Sequence, residues 1–451
     1  MKYLKRYIDV ELGDWKDSPV RRPLLVRGAR QVGKTFSITH FGEAYFRNCL
    51  TINFEERPEF KGCFETLLVS EILEKIEMLS GGNIIPGETI LFLDEIQECP
   101  RAITALRYFY EKKPELHVVG AGSLLEFAFK GDKFRMPVGR ISSIFMEPLS
   151  FSEFLEALGR RKLNNYLAET TLQSGGIPSL YQDELEKALR KYFIIGGMPG
   201  VVAPYVQGIS HTDVNKIQSA ILQTYQADFV KYASSAQHKY LNDVFLAAPR
   251  LAGSQCKYSH INPYVQSRDL KNAITLLKDA RCIYQIFHSS AQGLPLEAQK
   301  NQKKFKLAFL DIGLMQRSLG LDTQIMFDND IMTINRGGVA EQYVAQQLLS
   351  SLEPFEEKKL YYWSRESRSS QAEVDFLVTI DGSILPVEVK SGKTGRLKSL
   401  RLFLKEHPDA PFGLRFSAHE LSFHDQVLSI PLYMACHWKN IAGKTLETIA
   451  S

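Results

Sequence analysis

The sequence predicts an α/β protein with a parallel-sheet core, a helical region and a second, C-terminal α/β domain. Short apolar segments alternate with helical ones between about residues 20 and 145, a pattern typical of a parallel sheet with helices on both faces. Helical spacing then dominates to about residue 320, where a two-strand pattern follows the helices, and helix and strand alternate again to the end. The expected domains are residues 1–150, a helical region at 151–235, a winged-helix-like segment at 236–325 and the C-terminal domain at 326–451.

Composition limits the classes of protein to which the chain can belong. Its 451 residues include 55 Lys+Arg and 51 Asp+Glu, a net charge of +4, which excludes a uniformly basic nucleic-acid binder and leaves only a local basic patch for DNA. No apolar run approaches the ~20 residues of a membrane helix, so no membrane partner is expected. The six cysteines form no CxxC pair or zinc spacing, which favours a reduced, cytoplasmic location.

Apolar segments between residues 20 and 125 are expected to form the strands of the first sheet. Helical spacing over Glu71–Ile76 and Ala102–Glu111 separates them. The strand candidates are Arg22–Arg27, Leu50–Phe54, Thr89–Leu93 and His117–Ala121.

A phosphate-binding loop follows the first of these strands. The segment from Gly28 to Thr35 fits G-x-x-x-x-G-K-[ST] at every fixed position. Glycines let backbone N–H groups close around phosphates, Lys34 reaches the β and γ phosphates, and the Thr35 hydroxyl can bind Mg²⁺. The pattern predicts ATP and Mg²⁺ as cofactors, with an ATP-binding set of Gly28, Ala29, Arg30, Gln31, Val32, Gly33, Lys34 and Thr35.

Two acids end the strand that begins at Thr89. A buried parallel strand brings Asp94 to the carboxyl edge of the sheet, beside the phosphate loop, where it can hold Mg²⁺ through water. Glu95 is then placed to polarise the attacking water. The alternative interpretation is a solvated acidic turn.

Two further polar residues are weaker candidates for catalysis. Ser123 follows the strand His117–Ala121, where it can sense the γ-phosphate; its alternative role is a helix N-cap before Leu124. Arg140 is a candidate arginine finger or phosphate sensor, and a surface salt bridge is the competing interpretation.

The C-terminal region contains acids inside apolar segments. Asp375 lies in one expected strand, Glu388 and Lys390 share one face of another, and Glu341 lies at the start of an amphipathic helix. Buried charges are costly unless they are paired or bind a metal. Two carboxylates can hold Mg²⁺ while a lysine orients water for phosphodiester attack; a structural Glu388–Lys390 pair is the alternative.

The winged-helix-like segment is the candidate DNA contact. The expected recognition helix runs from Arg268 to Ala280, with apolar residues at helical spacing. Four lysines of the hairpin are expected to reach phosphates from the wing; the alternative is that they form only a solvated basic loop. They are Lys300, Lys303, Lys304 and Lys306.

With these residues identified, the chain resembles the bacterial and archaeal predicted ATPases of the AAA superfamily that carry a C-terminal domain of unassigned function. The resemblance implies an ASCE-type P-loop core, a helical lid, a winged-helix segment and a restriction-endonuclease-like domain similar to PD-(D/E)xK nucleases. It implies that Asp94 and Glu95 form the Walker B pair, that Ser123 is sensor 1, and that Glu341, Asp375, Glu388 and Lys390 match the nuclease core. Val374 stands where such nucleases have Pro. The segments that carry the resemblance are Val26–Thr35, Leu93–Gln97, Gly120–Ser123, Gly139–Arg140, Glu147–Phe154, Gly196–Pro199, Phe309–Leu314, Glu373–Phe376 and Val387–Lys390.

Three functions are compatible with this sequence. The preferred one is Mg²⁺-dependent ATP binding and hydrolysis coupled to a DNA-related task. The second is a slow nucleotide switch that binds protein partners and has an inactive C-terminal domain. The third is an ATP-gated, metal-dependent DNA endonuclease.

Overall fold

A computed structural model describes residues 3–123, 125, 139–232, 235–320, 337–365, 372–392 and 396–450. The chain divides into two compact units. Unit 1 comprises Met1–Glu147, Asp279–Arg281 and Glu353–Glu357, and unit 2 comprises Pro148–Lys278, Cys282–Leu352 and Lys358–Ser451.

Unit 1 is built on a parallel sheet. Among its described residues the strand order is β2-β3-β4-β1-β5, so that β4 lies between the strand preceding the phosphate loop and the strand that ends in Asp94. The elements are α1 (Ile8–Asp17), β1 (Leu24–Arg27), α2 (Lys34–Tyr45), β2 (Asn48–Asn53), α3 (Val69–Ser80), β3 (Thr89–Asp94), α4 (Pro100–Lys112), β4 (His117–Gly122) and β5 (Ser142–Phe145).

The apolar pattern of these segments explains the sheet. All six residues of β3 and all six of β4 are buried, as expected for central strands covered on both faces. Helices α3 and α4 turn Ile72, Ile76, Ile103 and Leu106 into the core beside Leu91 and Leu93, while their other faces stay exposed. The α/β class expected from the sequence is confirmed for this unit.

Unit 2 begins with a helical region. Its helices are α5 (Phe151–Ala157), α6 (Arg161–Glu169), α7 (Ser179–Ile195), α8 (Pro199–Val206), α9 (His211–Tyr232), α10 (Ser235–Leu251), α11 (Tyr258–Ile261) and α12 (Ser267–Asp279).

One buried carboxylate joins two segments that are distant in the sequence. Asp311 is fully buried; it accepts hydrogen bonds from the backbone N–H of Gly197 at 2.6 Å and of Leu314 at 3.0 Å. The Gln346 side chain donates a third at 3.3 Å. Two segments that carry the resemblance, around Gly197 and around Asp311, therefore meet in the core and have a structural role there.

The rest of unit 2 is organised around a mixed sheet. Among the described residues its order is β12-β13-β11-β10-β9-β8-β6-β7. The two-strand hairpin expected in the winged segment is present as β6 and β7, and it forms one end of this sheet because β6 pairs in parallel with β8. The elements are β6 (Ile283–Ser289), β7 (Lys300–Phe309), α13 (Ile312–Leu319), α14 (Gly338–Ser350), β8 (Leu360–Ser364), β9 (Glu373–Ile380), β10 (Ser383–Val389), α15 (Lys398–Glu406), β11 (Gly413–Ser417), β12 (Ser422–His424), β13 (Val427–Pro431) and α16 (Trp438–Ala450).

No helix in the described part of the chain has both the length and the apolar character needed to cross a bilayer.

Candidate functional site

The predicted ATP-site residues meet at one edge of the unit 1 sheet. Strands β1, β3 and β4 are parallel, so their carboxyl ends lie at the same edge. The phosphate loop follows β1, Asp94 is the last residue of β3, and Ser123 follows β4 directly. The parallel order thus brings together residues that are up to 95 positions apart.

The two glycines of the phosphate loop are required for different reasons. A Cβ on Gly28 would lie 2.4 Å from the carbonyl oxygen of Met146, so this position has no room for a side chain. Gly33 has φ of 94°, in the left-handed region that favours glycine. Helix α2 begins at the next residue, Lys34, and directs its N-terminal N–H groups towards the loop.

Lys34 is held inside the loop. Its Nζ donates to the carbonyl oxygens of Gly28 at 3.1 Å and Ala29 at 2.8 Å, and the residue is 7% exposed. Burial lowers the pKa of Lys34 to about 8, while the Glu95 and Asp94 carboxylates oppose this shift. A buried cation close to backbone amides is suited to bind an anion such as a phosphate group.

Thr35 and Asp94 place two oxygen ligands side by side. The Thr35 hydroxyl donates to Asp94 Oδ2 at 2.9 Å, and Asn53 Nδ2 donates to the same oxygen at 3.3 Å. Burial, reinforced by the neighbouring Glu95, raises the pKa of Asp94 to about 6. A hydroxyl and a carboxylate are ligands that Mg²⁺ prefers, so this pair fits the predicted metal.

Glu95 is oriented by a residue that the sequence analysis did not identify. Glu95 has φ of 47° and starts a tight turn after β3. Gln97 Nε2, in that turn, donates to Glu95 Oε2 at 2.6 Å. The position of the acid therefore depends on Gln97, which ends the resemblance segment Leu93–Gln97 but to which the sequence analysis assigned no role.

Ser123 is 6% exposed and lies at the carboxyl edge with the phosphate loop. This is the edge expected for a residue that senses the γ-phosphate. The alternative, a helix cap before Leu124, falls on residues outside those described.

Arg140 is not brought together with the other predicted catalytic residues. Ser142 is paired with Leu24 at the start of β1, so Arg140 lies near the amino edge of the sheet, opposite the phosphate loop. Its Nε donates to Glu111 at 3.2 Å, in a half-exposed salt bridge. Arg140 could therefore contact only a nucleotide bound to a neighbouring chain, and not the nucleotide of its own chain. The catalytic role of Arg140 stays a prediction.

A second residue missed by the sequence analysis, Arg6, supports the phosphate loop through a hydrogen bond to its backbone. Arg6 is 6% exposed; its Nη1 donates to the carbonyl oxygen of Val32 at 2.9 Å and its Nη2 to that of Glu147 at 2.6 Å. In the sequence Arg6 is part of a short basic stretch that resembles a solvated terminus, so no local signal identified it.

The predicted nuclease-like residues of unit 2 also converge. Asp375 Oδ2 accepts a hydrogen bond from the Val389 backbone N–H at 2.7 Å, and Lys390 Nζ donates to Glu388 Oε1 at 2.5 Å. Burial, reinforced by the Asp375 carboxylate, raises the pKa of Glu341 to about 8 and that of Glu388 to about 7. In the part of the chain that the structure describes, no group of three or more His, Cys, Asp or Glu side chains is arranged to hold a metal ion.

Lys306 corrects one expectation about the hairpin. The sequence predicts that it reaches DNA phosphates from the wing, but it is 1% exposed and forms ion pairs with Glu341, Glu373 and Asp375. Burial by itself lowers the pKa of Lys306, but these carboxylates outweigh it and raise the pKa above its usual value. The reason is that the second half of β7 is covered on both faces: residues 305–309 are all buried, whereas 302 and 303 in the first half are exposed.

The remaining hairpin lysines differ in exposure. Lys300 is paired with Glu297 at 2.5 Å and lies over the Phe287 ring, whereas Lys303 is exposed and Lys304 half-buried. Lys303 and Lys304 are therefore the hairpin lysines that remain candidates for a DNA contact.

Comparisons with known proteins divide the chain into three matched regions. A family described as an AAA domain matches residues 20–155, and two domains of unknown function match residues 186–325 and 336–433. No curated protein matches the chain. The AAA match covers the sheet, the phosphate loop, Asp94 and Glu95.

Among solved structures, the likenesses are distant. The chain is similar to the Aeropyrum pernix ORC1 protein in complex with DNA (13% identity, TM-score 0.27, covering 71% of this chain and 91% of that one). It is also similar to the Thermotoga maritima RuvB Holliday junction branch migration motor (13%, 0.30, 62% and 90%). Both TM-scores are below 0.5, so the assignment of unit 1 rests on the AAA match and on the site geometry.

Proposed function

Because residues 20–155 form an AAA-type P-loop ATPase domain, we propose that this chain binds Mg²⁺–ATP at the edge formed by β1, β3 and β4, hydrolyses it, and couples that cycle to a DNA-related task. The observation that carries the proposal is the convergence of Lys34, Thr35, Asp94 and Glu95, with the Thr35 hydroxyl 2.9 Å from Asp94 Oδ2.

Each residue has a distinct task. The loop N–H groups and Lys34 bind the phosphates, and Thr35 and Asp94 would hold the metal. A bound Mg²⁺ would supply positive charge to neutralise the transferred phosphoryl group. Glu95, held by Gln97, accepts the proton of the attacking water, and Ser123 contacts the γ-phosphate from the end of β4.

The test of hydrolysis is steady-state ATP turnover by the wild type and by Glu95→Gln. The variant keeps the size of the side chain and loses the base, so we expect unchanged ATP affinity and turnover lower by roughly 10²-fold or more. Equal turnover in the two proteins would assign the base to another acid. Tight ATP binding without turnover in the wild type would favour a nucleotide switch instead.

The DNA-related part of the proposal rests on unit 2. Helix α12 carries Arg268 and Lys271 on its exposed face, and the hairpin that follows carries Lys303 and Lys304. A helix followed by a basic hairpin is a common way to contact a duplex and its phosphates.

This part is tested by DNA affinity measured as a function of salt. Changing Lys303 and Lys304 together to Gln should weaken binding to all sequences and reduce the dependence on log[salt] by about one unit for each lysine–phosphate interaction removed. The matched control changes Lys187 and Lys216, two lysines exposed on other helices of unit 2. A salt slope equal to that of the wild type excludes the hairpin as the DNA-binding element.

A further inference from the structure

Three carboxylates of unit 2 surround one buried ammonium group. Lys306 Nζ lies 2.6 Å from Glu373 Oε1, 3.3 Å from Glu341 Oε2 and 3.7 Å from Asp375 Oδ1. The Lys306 side chain is 1% exposed. A charge removed from water needs compensation by opposite charge, so the Lys306 ammonium and these carboxylates depend on each other. We call these four residues the Lys306 cluster.

The acids that a nuclease would use for its metal are already engaged. Asp375 has one oxygen bound to the Val389 N–H at 2.7 Å and the other facing Lys306. Glu388 has one oxygen bound to Lys390 Nζ at 2.5 Å. A divalent ion bound to Asp375 at the usual ~2.1 Å for Mg²⁺ would lie close to the Lys306 ammonium, which repels it.

One carboxylate oxygen of these acids is buried without a partner. Glu388 Oε2 is buried and has no hydrogen-bond partner among the described residues. Mg²⁺ is usually held by one or two carboxylates and several waters, but an ion bound to Asp375 would have to lie next to the Lys306 ammonium or displace it. The described side chains provide no group of three or more His, Cys, Asp or Glu that could hold a metal ion.

We propose that the cation of this cluster is the chain's own Lys306 ammonium. It occupies the place of a divalent metal, so the cluster takes no such ion and does not cleave DNA. The role of the cluster is to link β7 to β9 and to helix α14 by ion pairs. Lys306 comes from β7, Glu373 and Asp375 come from β9, and Glu341 comes from α14. The nuclease-like residues are then a structural junction.

The experiment is thermal unfolding of the full chain with increasing MnCl₂ or MgCl₂, in an Asp94→Asn background that removes the carboxylate ligand of the ATP-site metal. With Lys306 present, we expect no change in the unfolding midpoint. Lys306→Met should lower the midpoint without metal, because it leaves three carboxylates unbalanced, and should let Mn²⁺ raise it by mass action. Lys303→Met, on an exposed position of the same strand, is the matched control and should change neither.

The proposal is overturned if Mn²⁺ raises the midpoint of the chain that retains Lys306 and Asp375→Asn abolishes that gain. Metal-dependent nicking of supercoiled DNA that is lost in Asp375→Asn overturns it too. If Lys306→Met does not fold, these two measurements on the Lys306-containing chain still decide the question. Since no ATP is present, the outcome is independent of whether unit 1 hydrolyses ATP.

Discussion

Gln97→Leu is the substitution that separates the position of Glu95 from its chemistry. Gln97 is 9% exposed, and its Nε2 donates to Glu95 Oε2 at 2.6 Å. Leucine keeps nearly the same volume and removes the donor. Glu95 itself stays in the chain, with φ of 47° at the start of the turn, so any change in turnover reports on the orientation of its carboxylate.

The structure sets the size of the expected effect. A hydrogen bond to a carboxylate contributes about 1.5–3 kcal/mol. At about 1.4 kcal/mol for each factor of ten, losing it should reduce kcat by roughly 10- to 150-fold if Glu95 works only when held. The KM for ATP should stay near the wild-type value, because the bonds of Lys34 and Thr35 are unchanged.

The assay is steady-state ATP turnover by four proteins: wild type, Gln97→Leu, Glu95→Gln and Glu98→Gln. Glu98 lies in the same turn and pairs with Lys61 at 3.3 Å, so its change is the control and should have little effect. Unfolding midpoints show whether each variant is folded. Wild-type turnover in Gln97→Leu, with an inactive Glu95→Gln, would refute the orienting role of Gln97.

Three further substitutions test the remaining assignments. Lys34→Ala should abolish ATP binding in calorimetry while the protein stays folded, and unchanged affinity would move the site elsewhere. Arg140→Ala should keep ATP affinity but lose turnover. If Arg140 acts on a neighbouring chain, mixing the Arg140→Ala and Lys34→Ala proteins should restore turnover. Wild-type turnover of Arg140→Ala at every protein concentration would reduce Arg140 to a surface salt bridge. Asp311→Ala leaves three donors without their acceptor and should lower the free energy of unfolding in urea by about 3–6 kcal/mol. Asp213→Ala, at an exposed helix start, is the control and should lower it little. A similar loss of stability in both variants would contradict the structural role of Asp311.

Much of unit 1 was predictable because its signals are local. The phosphate loop is a contiguous segment whose glycines, lysine and threonine each have a fixed chemical task, and the strand before it and the helix after it are visible as apolar patterns. Asp94 and Glu95 were identifiable for the same reason: a buried strand that ends in two acids is unusual without a function. The roles of Gln97 and Arg6 were not predictable, although Gln97 lies in a resemblance segment, because each acts through contacts that the sequence does not show.

Unit 2 was predictable in its parts but not in their arrangement. The hairpin, the acidic strands and the helix of Glu341 were all expected, yet the hairpin is a part of the C-terminal sheet through the pairing of β6 with β8. That pairing joins residues more than 70 positions apart, and no local pattern specifies it.

The sequence by itself determined the α/β class, the phosphate loop and the acids at the strand ends, because each depends on a short pattern of apolar and functional residues. Only the tertiary structure decided that Arg140 lies at the edge of the sheet opposite the phosphate loop and that Lys306 is buried among three carboxylates. The physical reason is that both outcomes depend on strand pairing, and pairing is set by packing over the whole unit. A lysine in a basic hairpin has the same local sequence whether it faces water or the core. A lysine that faces water can bind DNA, whereas one that faces the core can act as the internal cation of a carboxylate cluster.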